Sequence, residues 1–150
     1  MIKHNLKNPT ITTTFAGLGL TVSLGIHFLT MFNVVKAPGW LLLAVTGWMF
    51  LVWMMTSGYI RQIGQMENAR NPWKEAMRHC PAWLEYLTYF FIVYAIVNFT
   101  FSVSFEPTQG FFNLDVPRHK IRGLSGFWLA FFSMGIAISV AAKRVKNKEL

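Results

Sequence analysis

Four long stretches without a charged residue divide this sequence and limit what it can fold into. They lie between Lys7 and Lys36, Lys36 and Arg61, Glu85 and Glu106, and Arg122 and Lys143, and they contain 28, 24, 20 and 20 residues. A helix of about 20 residues crosses the ~30 Å hydrocarbon core of a bilayer. The sequence therefore predicts a single-domain, all-α integral membrane protein with four transmembrane helices, at about 11–35, 40–60, 83–105 and 124–142.

The composition supports a membrane protein and excludes several other classes. Hydrophobic residues make up 53% of the chain and charged residues 13%, against about 25% charged residues in soluble proteins. This hydrophobicity excludes a disordered chain, and a single cysteine, Cys80, excludes a disulfide scaffold. Lys and Arg outnumber Asp and Glu by 14 to 6. On so apolar a chain this excess indicates membrane-flanking loops rather than binding to nucleic acid.

The positions of the cations predict the orientation of the spans. Ten of the fourteen fall on the side of the two termini, and these are Lys3, Lys7, Arg61, Arg70, Lys74, Arg78, Lys143, Arg144, Lys146 and Lys148. The positive-inside rule therefore predicts that both termini lie inside. We expect a bacterial cytoplasmic membrane, with the N- and C-termini in the cytoplasm.

The segment after the second span has the signals of a short helix. Asn71 is a suitable N-cap, Pro72 suits the first helical position, and Pro81 ends the segment before the third span begins. We expect this helix to lie along the membrane interface. The interface belts on the two sides of the membrane are expected to hold the tryptophans near the starts of spans two, three and four, which are Trp40, Trp83 and Trp128.

Polar residues inside the spans are the first candidates for function. His27 in span one and Asn98 in span three are expected at a similar depth, where they could hydrogen-bond directly or through water. Such a pair is a polar clamp between helices, a proton-relay position, or, with His27 as ligand, a haem site. The haem alternative lacks a second histidine within the spans, because the other histidines, His4, His79 and His119, lie outside them.

Small residues recur every four positions in span one, at Thr13, Gly17, Thr21 and Gly25. A stripe of this kind lets a second helix approach closely, which matters because lipid provides no hydrophobic drive for helix association. A looser series in span four consists of Ser125, Ser133, Ala137 and Ala141. These residues either close the chain's own bundle or bind a different subunit.

Two clusters of basic residues flank the last span. Arg118, His119, Lys120 and Arg122 precede it on the side that the topology rule leaves poor in cations, and Lys143 and Arg144 follow it. Both clusters are predicted to contact anionic lipid or an acidic partner surface.

The usual residues for catalysis are missing from the expected positions. The interior of the spans contains no Asp or Glu, since Glu85 lies at the inner edge of span three; there is also no paired cysteine and no histidine motif for zinc. The sequence therefore favours a non-catalytic accessory subunit of a larger membrane complex, with membrane lipids and other integral membrane subunits as partners and with bound lipids rather than a cofactor. The alternative is a stand-alone small carrier, or a haem- or quinone-associated redox protein, centred on His27 and Asn98.

Overall fold

The computed structural model describes residues 8–32, 39–102 and 118–148, with no side-chain description at 118–120 and 148. Five helices follow one another along the described chain: α1 (Pro9–Met31), α2 (Gly39–Met66), α3 (Pro72–Arg78), α4 (Ala82–Ser102) and α5 (Arg118–Lys148). All except α3 are long and apolar enough to cross a membrane. The predicted class, an all-helical protein with four candidate spans, is confirmed.

The helix boundaries differ from the predicted spans mainly at the charged ends. α2 continues to Met66 because Tyr59, Ile63 and Gly64 are still buried against the rest of the chain. α5 begins at Arg118 and ends at Lys148, so it extends beyond its apolar stretch at both ends. The predicted span residues 33–35 and 103–105 lie outside the described residues.

The last helix, α5, lies at the centre of the bundle. In its most apolar segment 67% of the residues are buried, against 28%, 28% and 22% in α1, α2 and α4. α1 and α4 run antiparallel to α5, as shown by the pairs Thr13–Ser139 and His27–Ser125 for α1. α2 runs parallel to α5 and contributes Thr46 and Val52 to the contact between them. Each outer helix therefore shares one face with α5 and leaves most of its surface exposed.

Close contact with α5 depends on small residues. A Cβ atom at Gly135 would lie 2.6 Å from Cγ1 of Val52 and 3.2 Å from Cβ of Ala16, and one at Gly19 would overlap the Phe132 ring. The small residues that the sequence suggested in span four are all fully buried; they are Ser125, Ser133, Ala137 and Ala141. This second series therefore closes the chain's own bundle.

The polarity of α1 is the reverse of that in a soluble helix. Its buried face carries Thr12, Ser23 and His27, whereas Leu18 and Phe28 are more than half exposed. In water such an arrangement would leave the apolar surface solvated and the polar groups desolvated. The pattern fits a helix whose surroundings are apolar.

Trp128 does not lie in an interface belt, so this prediction is wrong. Its side chain is fully buried and its Nε1–H donates to Oγ1 of Thr46 at 3.1 Å. The reason is the central position of α5, which surrounds its residues with other helices. Trp40 and Trp83, on outer helices, are 64% and 66% exposed.

The predicted short helix is confirmed as α3. The Asn71 side chain accepts a hydrogen bond from the Lys74 amide at 3.1 Å, and Pro72 occupies the first turn. Ala76 and Met77 are buried in one cluster with Ile63 of α2 and Val145 of α5. α3 therefore closes one end of the bundle, called here the α3 end, where α1 also begins and α5 ends.

A tight turn joins α2 to α3. Asn68 has a φ of 49°, in the left-handed region that asparagine tolerates better than most residues. The Ala69 amide donates to the Gly64 carbonyl at 2.8 Å and the Asn68 amide to the Gln65 carbonyl at 3.3 Å, the hydrogen-bond pattern of a Schellman motif. A Cβ atom at Gly64 would lie 2.6 Å from Cβ of Pro72, so the glycine lets α3 fold back onto α2.

Candidate functional site

A buried polar network joins α1, α4 and α5 near the end of the bundle opposite α3. His27 is only 3% exposed. Its Nδ1 lies 2.7 Å from Oγ of Ser125, and its Nε2 is hydrogen-bonded to the hydroxyl of Tyr94. Both ring nitrogens of His27 therefore have partners on neighbouring helices.

The network continues from Ser125 to Asn98. The Ser125 hydroxyl donates to the Arg122 carbonyl at 3.0 Å, and Nδ2 of Asn98 donates to the same carbonyl at 2.7 Å. A carbonyl oxygen has two lone pairs and can accept both bonds. His27 and Asn98, the predicted pair, thus belong to one network, linked through Ser125 and a backbone carbonyl rather than directly.

The single hydroxyl proton of Ser125 sets the direction of the other bonds. Because Ser125 donates this proton to Arg122, its oxygen accepts from the Nδ1–H of His27. Nε2 of neutral His27 then accepts from Tyr94. A protonated ring would donate from both nitrogens to the same two hydroxyl oxygens, so the arrangement provides partners for either charge state.

Sequence reasoning missed Tyr94 and Ser125 as members of this network. Tyr94 was one of several aromatic residues in its span, and Ser125 was noticed only as a small residue. The sequence did hold one signal for Ser125: it lies near the start of the last span, and His27 lies near the end of the first. In an antiparallel pair of helices these two positions lie side by side.

Haem binding at His27 would require a broken hydrogen bond. Iron coordination needs a free lone pair on a ring nitrogen, and both nitrogens of His27 are already engaged. The geometry is that of a polar clamp, with hydroxyl groups that could also conduct a proton.

The predicted stripe on α1 lies mostly outside the bundle. Thr13 bonds to Oγ of Ser139 at 2.8 Å, but Gly17 and Gly25 have no atom within 4 Å of an added Cβ atom. A step of four residues turns the helix by 400°, about 40° more than a full turn. The stripe therefore winds away from α5 towards the exposed side, and Thr21 is exposed there.

The basic residues are distributed over both ends of α5. Lys143 and Arg144 are exposed at the α3 end, and Arg122 is exposed at the other. The side chains of Arg118, His119 and Lys120 lie outside the described part of the chain, although their backbone begins α5. At the α3 end a cavity of about 380 Å³ is lined by Arg78, His79, Arg144 and Asn147, a donor-rich set of the kind that binds anionic groups.

A further cluster, which the sequence did not predict, lies between α2 and α3. One oxygen each of Glu67 and Glu75 and one ring nitrogen of His79 all lie within 4.8 Å of one another. The sequence shows only that Glu75 and His79 are four residues apart, hence on one helical face. Glu67 joins them because the turn at Asn68 reverses the chain.

Cys80 is the residue next to this cluster. Its side chain is buried, and burial, reinforced by the charge of Glu85 and opposed by Arg144, raises the pKa of the thiol to about 11. A thiol with so high a pKa is a poor nucleophile at neutral pH.

No protein-family model matches this chain, and neither a curated protein nor a solved structure matches it. The function of the chain is therefore inferred from its own contacts.

Proposed function

We propose that this chain is a non-catalytic subunit of a larger membrane complex, in which it packs against helices and lipids around a catalytic or transport core. The observation that carries this proposal is the uneven burial of its helices. In α5 most residues of the most apolar segment are buried, whereas in α1, α2 and α4 fewer than a third of them are. Such surfaces need lipid or other transmembrane helices around them.

The use of the buried polar groups supports a structural role. Thr12 bonds to the Tyr59 hydroxyl at 3.0 Å, joining α1 to α2, and Thr13 and His27 join α1 to α5. Hydrogen bonds between transmembrane helices contribute roughly 0.6 kcal/mol each on average. These bonds hold the chain's own helices together.

The partner that fits the exposed side of α1 is a transmembrane helix of another subunit. Gly17 and Gly25 leave room for a close approach of a second backbone, and interfaces between helices in membranes are rich in such small residues. Lipid chains would cover the bulkier residues beside the stripe, such as Leu18 and Val22, without needing this room.

We also propose that the α3 end faces the cytoplasm of a bacterial cell. The described side chains at this end include seven cations, Arg61, Arg70, Lys74, Arg78, Lys143, Arg144 and Lys146. Cytoplasmic flanks of membrane proteins carry such an excess, and the cavity beside Arg78 and Arg144 suits an anionic lipid headgroup. Reporter fusions at each terminus test the orientation: a reporter active only outside the cell should be silent on both.

Extraction in a mild detergent tests the subunit proposal. The chain should migrate with other integral membrane proteins in fixed stoichiometry. Gly25→Leu should release it from them without lowering its thermal stability, because Gly25 has no neighbour within 4 Å in the chain itself. Val22→Leu, a small change on the exposed face of the same helix, is the matched control and should leave the complex intact. Recovery of the native chain as a lone monomer or homo-oligomer would refute the proposal.

The alternative function, a stand-alone carrier or redox protein, draws on the same polar network. Its specific support is the unbroken series of hydrogen bonds from Tyr94 through His27 and Ser125, since proton relays in membranes consist of such groups. The redox version requires a Soret band in the purified protein that His27→Ala abolishes. A colourless preparation would exclude a haem protein.

A further inference from the structure

The cluster formed by Glu67, Glu75 and His79 has the spacing of a metal site. Nε2 of His79 lies 3.5 Å from Oε1 of Glu67 and 3.6 Å from Oε1 of Glu75. Both distances exceed the 2.7–3.2 Å of ordinary N–H···O hydrogen bonds. Ligand atoms bound to a tetrahedral ion at about 2.0–2.1 Å are about 3.3–3.4 Å apart. Two of the three separations are thus close to those that a shared ion imposes, and the ligand oxygens of Glu67 and Glu75 lie within 4.8 Å of each other.

One buried atom of this cluster, Nε2 of His79, lacks a hydrogen bond that would satisfy it. The side chain of His79 is only 10% exposed, and its Nε2 is buried without a hydrogen-bond partner. An unsatisfied buried polar atom costs about 1–3 kcal/mol, and a bound ion would remove this cost. Glu75 is 16% exposed and points its Oε1 at the same place.

The backbone holds the three residues in position before any ion binds. Glu67 is fixed by the hydrogen bond from its amide to the Ile63 carbonyl at 3.0 Å and by the turn at Asn68 that follows. Glu75 lies on α3, and His79, the C-cap residue of that helix, follows one turn later; Asn71 caps the N-terminus of α3, and Met77 of α3 is buried. Preorganised ligands of this kind lose little conformational entropy on binding.

The donor set selects the class of ion. One imidazole nitrogen and two carboxylate oxygens suit Zn²⁺ and related transition metals, whereas Mg²⁺ and Ca²⁺ prefer sets made of oxygen alone. The adjacent cavity, which His79 also lines, has room for a water molecule as the fourth ligand.

Arg78 competes with a metal ion for this site. Its guanidinium lies 2.7 Å from Oε1 of Glu75, the oxygen that faces His79, but the side chain is 68% exposed. An exposed arginine can move into solvent at little cost, because exposed ion pairs contribute roughly 0–1 kcal/mol.

We propose that Glu67, Glu75 and His79 bind one divalent transition-metal ion, with Zn²⁺ as the best fit, and that this ion fastens the end of α2 to α3. The site belongs to the α3 end of the bundle and is independent of the polar network around His27.

The test is direct metal binding by the full-length chain in detergent, purified without a histidine tag. After equilibrium dialysis against Zn²⁺, mass spectrometry of the metal content should find about one zinc per chain. Glu67→Gln and His79→Gln should each weaken binding at least about tenfold. Glu85→Gln removes another carboxylate at the α3 end and should leave binding unchanged, while Arg78→Gln should strengthen it by removing the competitor.

Thermal unfolding supplies a second measurement. Zn²⁺ should raise the melting temperature of the native chain, a chelator should reverse the rise, and Mg²⁺ should have no effect. Glu67 is 39% exposed, so Glu67→Gln should fold and lose the response even if His79→Gln does not fold. The proposal is overturned if the native chain holds no zinc, or if a Glu67→Gln, His79→Gln double variant holds as much as the native chain.

Discussion

His27 and His79 are both largely buried, but their ring nitrogens are used in different ways. His27 lies inside the bundle, where hydroxyl groups of two other helices engage both nitrogens. His79 lies at the α3 end, where its Nε2 faces two carboxylate oxygens that are too far away for hydrogen bonds. The ring nitrogens of the first histidine are both hydrogen-bonded, whereas Nε2 of the second has no hydrogen-bond partner.

The difference shows that burial alone does not identify a functional histidine. Sequence reasoning favoured His27 because polar residues in spans are rare and costly, yet its surroundings are those of a structural clamp. His79 attracts little attention in the sequence because it lies in a loop region with ordinary charges. The hydrogen bonds at the ring nitrogens distinguish the two residues better than their position in the chain does.

The largest expected effect concerns the accessibility of the α3 end. Because the pKa of Cys80 is raised from 9.0 to about 11, the thiol should carry about 100-fold less thiolate at pH 8 than a thiol of pKa 9.0. A thiolate of higher pKa is also more nucleophilic, by roughly tenfold for two pKa units, so alkylation by iodoacetamide should be at least about tenfold slower than in the unfolded chain and should accelerate as the pH rises towards 11. Equal rates in folded and unfolded protein would mean that the region around Cys80 and its neighbour His79 is open to solvent. His79 would then not be buried as His27 is, and the comparison of the two histidines would fail.

The next effect concerns the tight packing around the polar network. A Cβ atom at Gly126 would lie 2.6 Å from Nδ2 of Asn98. Gly126→Ala should thus displace Asn98 from the Arg122 carbonyl and lower the free energy of unfolding by about 1–3 kcal/mol. Gly17→Ala, where nothing lies within 4 Å, is the matched control and should not destabilise the chain. Unfolding in mixed detergent micelles, followed by circular dichroism, measures both variants.

The two histidines themselves should differ when metal is absent. His27→Ala leaves the hydroxyls of Ser125 and Tyr94 without a partner, and we expect a loss of about 1–2 kcal/mol in the free energy of unfolding. His79→Ala, measured in a chelator, should cost less, since no hydrogen bond to Nε2 is lost. A larger loss for His79 than for His27 would reverse the comparison.

The smallest expected effect is the removal of one hydroxyl group from the network. Tyr94→Phe keeps the ring and its edge-to-face contact with His27 but removes the bond to Nε2. The free energy of unfolding should fall by roughly 0.6 kcal/mol, the average for hydrogen bonds between transmembrane helices. If the unfolding transition instead moves as far as it does in His27→Ala, the tyrosine hydroxyl supplies most of the clamp.

The number of candidate spans could be predicted from the sequence because the membrane thickness sets a minimum length for every uncharged stretch. The α3 helix could be predicted because its caps are local, at Asn71 and Pro72. Counting residues along the helices also suggested that His27 and Asn98 lie close together, and both belong to the network through Ser125 and the Arg122 carbonyl. These features depend on short-range sequence alone.

The arrangement of the helices could not be predicted in the same way. Hydropathy does not show which helix is central, so Trp128 was expected at an interface although it is fully buried. The cluster of Glu67 with His79 depends on one left-handed residue, Asn68, that reverses the chain between two helices. The burial of Trp128 depends on long-range packing, and the cluster depends on the backbone conformation of Asn68. The spacing of residues along the chain encodes neither.

The central position of α5 has a consequence for the synthesis of the protein. α1, α2 and α4 are made and inserted before the helix against which all of them pack. During this interval His27 and Asn98 lack Ser125 and the Arg122 carbonyl, so inside the membrane they need temporary partners such as water or the insertion machinery. The arrival of α5 replaces these partners in two helices at once, α1 and α4, so the network of hydrogen bonds is completed only when the last helix is inserted.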